Sequence, residues 1–124
     1  MYVAWRWDFT FEILPKMLLA TLNTFMAAGL GYAIAAVVGL LFMLGQRTRY
    51  KFVNVPTREI VEFIRSTPLL VQLFFVYFVA PQFGLTLSAW VSAMFTIGLH
   101  YGTYLSEVYR GALEGVPKTQ WEAC

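Results

Sequence analysis

The residues best equipped for chemistry lie along one segment, where Thr96, His100, Thr103, Tyr104 and Glu107 recur at helical spacing. At about 100° per residue all five fall within about 60° of His100, so a helix there carries one polar face. That face can hydrogen-bond, exchange a proton at the imidazole or pair a cation at the carboxylate. Plainer readings stand beside these: His100 as a hydrogen-bonded packing residue, and Glu107 as the ion-pair partner of Arg110 one turn on. Gln72 is the strongly polar side chain between Pro68 and Ala80, and an interhelical hydrogen bond of about 1 kcal/mol explains it as well as contact with a solute does. The chain has no GxxxxGK[ST] phosphate loop, no HExxH and no serine nucleophile with a placed base, which excludes an ATPase within it. The single cysteine, Cys124, gives neither an internal disulfide nor metal-ligand spacing, so no metal and no cofactor is expected. The nine Lys and Arg form no stripe interleaved with aromatics, which removes the support for nucleic-acid binding.

The elements that must position these residues are apolar. Of 124 residues, 59% are hydrophobic and 13% charged, against roughly 25% charged in soluble domains, so the bilayer is the expected solvent. No charge occurs from Met17 to Gly45, a length that exceeds the roughly 20 residues of one crossing. A secretory signal fits poorly, because Asp8 and Glu12 precede this stretch, further apolar spans follow, and its length exceeds a signal's apolar core of roughly 7–15 residues. The uncharged stretch Ser66 to Ser106 is about twice one span, and Pro81 and Gly84 punctuate its middle. An all-α integral membrane fold follows, with an N-terminal segment 1–16, spans at 17–45, 66–80 (or from near residue 60) and 86–106, a basic amphipathic segment 46–65, a turn 81–85 and a tail 107–124. Seven of the nine basic residues lie in 46–65 or in the tail. The positive-inside rule therefore puts those two segments in the cytoplasm and the N-terminus and the 81–85 turn outside. Trp5, Trp7 and Phe9 suit an interfacial anchor.

Packing is written in small residues. Ala27, Gly31, Ala35 and Gly39 recur every four positions along the first span, and Gly98 and Gly102 lie opposite the polar face of the third. Such stripes let helix backbones approach closely. Ser66-Thr67-Pro68 leaves two options open, a helix beginning at Pro68 with Thr67 as its cap, or one continuous helix from near Thr57 kinked at Pro68.

Two motifs, in order, name a function. Arg65-Ser66-Thr67-Pro68-Leu69-Leu70-Val71-Gln72-Leu73-Phe74-Phe75 precedes Tyr104-Leu105-Ser106-Glu107-Val108-Tyr109-Arg110-Gly111, which leads into Val116-Pro117-Lys118-Thr119-Gln120-Trp121-Glu122-Ala123. They resemble the permease subunits of ABC importers for polar amino acids, the histidine, glutamine and glutamate class, whose pattern reads RGTPLLVQLFF and then AYxxExxRGxxxxVPxGQxEAA. This chain departs at Ser66, Gly102-Thr103, Thr119 and Cys124, all small-for-small exchanges. Its opening Trp5-Arg6-Trp7-Asp8-Phe9 and its closing Gln120-Trp121-Glu122-Ala123-Cys124 look most like the ectoine and hydroxyectoine permease. The resemblance implies a type I importer permease with further helices, so the chain is expected to be truncated within the EAA element, of which Glu122, Ala123 and Cys124 match the opening. It also implies a bacterial cytoplasmic-membrane location, a second permease subunit (homo- or heterodimer), ATP-binding subunits that do the hydrolysis, an external solute-binding protein, and transport by alternating access without covalent catalysis. Gln72, His100, Tyr104 and Glu107 are its candidates for the solute path. A small membrane scaffold or assembly protein, an inactive truncated permease fragment and a membrane enzyme built on His100 and Glu107 are the alternative readings.

Overall fold

The computed structural model describes residues 4–123, in helices joined by short turns with no strand among the described residues. Helix α1 (Trp7–Arg47) is 41 residues long and starts well before the uncharged stretch. Asp8 in its first turn complements the helix dipole. Pro15 removes one backbone hydrogen bond without ending the helix, and Asp8, Glu12 and Lys16 are carried on helical backbone. Helix α2 (Lys51–Ser66) is amphipathic, with Val61 and Ile64 buried, and it too accommodates an internal proline, Pro56. Helix α3 (Leu69–Phe74) passes into a π-turn at Phe75–Val79 and a 3-10 turn at Ala80–Phe83. Gly84 closes it at φ 86°, a left-handed conformation that glycine adopts without steric cost. Helix α4 (Ala89–Glu114) opens on Ser88, whose hydroxyl accepts from the Val91 amide, and α5 (Lys118–Glu122) is a single short turn.

At Pro68 the chain is not one continuous helix: α2 stops at Ser66 and α3 starts at Leu69. Thr67 and Pro68 are extended, as a residue before proline prefers, and the chain bends by 103° between α2 and Leu69–Phe83. Thr67 does not cap α3 with its side chain; its hydroxyl donates back to the Phe63 carbonyl. Carbonyls at the end of α2 are instead met by Gln72, whose amide donates to Ile64 O at 2.7 Å and Thr67 O at 3.0 Å.

The core is the seam between α1 and α4. A Cβ on Gly39 would lie 2.9 Å from the Gly102 carbonyl oxygen and 2.9 Å from Leu105 Cβ, and one on Gly31 would lie 2.9 Å from Ile97 Cγ2. Gly98 abuts Ile34 and Ala35, and Gly102 abuts Val38 and Gly39. Ala35 is 1% exposed; Ala27, at the N-terminal end of the stripe, is half-buried.

The distribution of polarity is inverted relative to a soluble domain. Gln46, Ser92, Thr96, His100, Thr103 and Ser106 are buried, while Leu18, Phe25, Leu41, Phe63 and Val108 are among many large apolar side chains left exposed. Soluble monomers rarely expose such contiguous apolar surface. Thr96, Thr103 and Ser106 satisfy their hydroxyls by donating to carbonyls one turn back on α4, the local solution available to a helix out of reach of water. Among the described residues α1 is long and apolar enough to cross a membrane, and the bent pair α2 plus Leu69–Phe83 passes the same test as one broken span.

Candidate functional site

The polar side chains of α4 meet those of α1 and α2 near the α1–α2 connection. Gln46, 2% exposed, ends the buried row Gly31, Ala35, Gly39, Met43 on α1. Arg58, Glu62 and Arg65 project from α2, and Glu107 and Arg110 from α4. Together they line an opening of about 250 Å3. Arg110 Nη2 donates to Glu107 Oε2 at 2.5 Å and its Nη1 lies 3.6 Å from Glu114. The Arg65 guanidinium lies 5.1 Å from the centre of the Tyr104 ring, a cation–π arrangement. His100 packs against Tyr101 and Tyr104, each at 5.3 Å between ring centres.

Of the residues singled out from the sequence, Tyr104 and Glu107 are brought together through Arg65, with His100 behind Tyr104. His100 is 7% exposed and its Nδ1 has no hydrogen-bond partner. Gln72 lies apart from them, lining with Thr96, Leu99 and Phe95 an apolar cavity of about 410 Å3, its amide nitrogen spent on the end of α2. Glu122 and Ala123 are exposed at the end of α5, and Cys124 lies outside the described residues. Gln46, Arg58 and Glu62 were not singled out from the sequence. Two signals for them exist: Gln46 continues the small-residue row of α1, and Arg58, Glu62 and Arg65 share one face of α2 at i, i+4 and i+7.

Burial pushes the Glu107 carboxyl up, but the hydrogen bond and charge of Arg110, the Gln46 amide and the Arg65 charge together hold it below its ordinary value. Arg110 is raised in turn by Glu107. The sign follows from linkage: a carboxylate with a depressed folded pKa contributes stability that is complete above its unfolded pKa and lost as pH falls through the folded one. Thermal stability in detergent should therefore fall on acidification below the ordinary carboxylate range. Glu107→Gln should be less stable near neutrality and lose less on acidification, as read by melting curves across pH. Equal acid sensitivity in both proteins would show that the pair contributes nothing.

No protein-family model matches the chain. It is similar over 99% of its length, at 38% identity, to the probable amino-acid ABC transporter permease protein y4tG of Sinorhizobium fredii, 56% of which it covers. It is 35% identical over 76% of its length to the L-cystine transport system permease protein TcyB of Bacillus subtilis, covering 40% of that protein. A crystal structure of an amino acid ABC transporter with histidines superposes with a TM-score of 0.90 at 25% identity, over 98% of this chain and 56% of that one. The fold is thus that of an ABC transporter permease, and its relatives are amino-acid ABC transporter permeases. The chain spans about half the length of the relatives it matches.

Proposed function

We propose that this chain is a membrane-spanning permease component of an ATP-driven importer for a small polar solute, an α-amino acid or a compatible solute of ectoine type. The observation that carries the reading is similarity along 99% of the chain to an amino-acid permease. The inverted polarity of the fold supports it, because the buried row on α4 offers hydrogen-bonding groups inside an apolar exterior. In this reading residues 17–45, 66–80 and 86–106 are three crossings of the cytoplasmic membrane, the 46–65 segment and the 107–124 tail face the cytoplasm, and the N-terminus and the 81–85 turn are outside. ATP-binding subunits, an external solute-binding protein and a second permease subunit complete the assembly, which works by alternating access. Gln72, His100, Tyr104 and Glu107 lie along or beside the solute path, and Glu122 to Cys124 open the element that couples to the ATPase. The relatives named for L-cystine and histidines favour α-amino acids as the solute class; the ectoine assignment rests on the two chain ends.

Deleting the gene should lower uptake of one labelled solute from a panel of cystine, histidine, glutamine and ectoine at least tenfold, with uptake restored by the intact gene. Unchanged uptake of the whole panel would overturn the reading. Orientation is tested by single cysteines on a Cys124→Ser background: one at Arg49 should be labelled by an impermeant reagent only after lysis, and one at Gln82 in intact cells. The reverse pattern would invert the topology.

A further inference from the structure

The charges around the 250 Å3 opening do not cancel pairwise. Glu107 and Arg110 engage each other, and Arg110 also approaches Glu114. Arg58, Glu62 and Arg65 have no oppositely charged group within 4.0 Å among the described residues. Arg65 lies over Tyr104, and its Nε is buried without an acceptor, a state a bound acceptor would relieve. Two guanidiniums and one carboxylate without an ion-pair partner within 4.0 Å thus share one small opening. The two arginines disfavour a plain cation, and a plain anion leaves Glu62 without a counter-charge. A molecule carrying both charges close together can pair with all three. The volume is below the roughly 300–1,000 Å3 of pockets for drug-sized ligands, which suits a head group better than a large ligand.

We propose that this opening is a site for the zwitterionic head group of an α-amino acid at the cytoplasmic end of the solute path, its carboxylate against Arg58 and Arg65 and its ammonium against Glu62. The proposal rests on the amino-acid permease reading and adds to it a site distinct from His100 and Gln72, where solute pauses before release.

The test uses the permease encoded with this sequence, assembled with its ATP-binding subunit in nanodiscs of neutral lipid at pH 7, with L-alanine, N-acetyl-L-alanine and L-alaninamide as probes in equilibrium binding. L-alanine should bind at least tenfold tighter than either analogue. Glu62→Gln should abolish discrimination against the N-acetyl form while keeping it against the amide, and Arg58→Gln with Arg65→Gln should do the reverse. Equal or absent binding of the three probes to the unaltered protein overturns the site without any variant having to fold, and so does discrimination that survives both substitutions. Failure of this site and failure of the wider reading are separable. A reconstituted transporter that imports amino acids while the chain ignores head-group charge contradicts the site alone, whereas one that imports none contradicts the permease reading.

Discussion

Gly39→Leu is expected to leave almost no monodisperse protein in mild detergent. The added Cβ would stand 2.9 Å from the Gly102 carbonyl oxygen and 3.2 Å from the Ser106 amide nitrogen. Backbone cannot rotate aside, so α1 and α4 would have to separate along the seam that holds the fold together. Overpacking in ordinary cores costs about 1–3 kcal/mol, and a clash with backbone belongs at or above the top of that range. Gly31→Leu should be milder, because the nearest obstacle is the Ile97 side chain. Leu40→Phe should be close to neutral, since Leu40 is 47% exposed on the outer face. Yield and elution profile of the three variants measure the ranking, and equal losses from all three would show that the stripe is not a packing surface.

Glu122→Lys is expected to abolish solute-stimulated ATP hydrolysis in the assembled transporter while leaving membrane insertion intact. Glu122 is exposed at the end of α5, with no salt bridge to a described residue. A solvated carboxylate of this kind contributes little to folding, so a large functional effect must come from a partner. Co-purification of the ATPase subunit and its stimulated turnover in membranes measure it. If both survive the reversal, Glu122 is an ordinary surface charge.

What the sequence made legible was whatever is periodic within one helix. Within the four-residue recurrence along α1, Gly31 and Gly39 stand at close approaches to α4, as Gly98 and Gly102 do to α1, and close approach of this kind leaves a local mark in the sequence. The start of α1 at Trp7 was not legible, because Asp8, Glu12, Pro15 and Lys16 interrupt the apolar pattern without breaking the helix. Nor was the π-turn at Phe75–Val79, where a uniformly apolar run carries no marker of a changed hydrogen-bond register. Gln72 looked like a lone polar group in a span; its role in closing α2 appears only once the bend at Pro68 brings the two helix ends together. The opening lined by Gln46, Arg58, Glu62, Arg65, Glu107 and Arg110 draws on three helices, and no local pattern states how α2 lies against α4.

A permease component of the kind proposed passes amino acids across the membrane only as part of an ATP-driven assembly. The direct measurement is uptake of labelled amino acid into proteoliposomes holding the permease encoded with this sequence, its ATP-binding subunit and its solute-binding protein. The account predicts uptake that requires ATP on the ATPase side and the binding protein on the other, and that falls at least tenfold when either is omitted. Uptake independent of ATP, or none for any amino acid or ectoine from an assembly that still hydrolyses ATP, would contradict it.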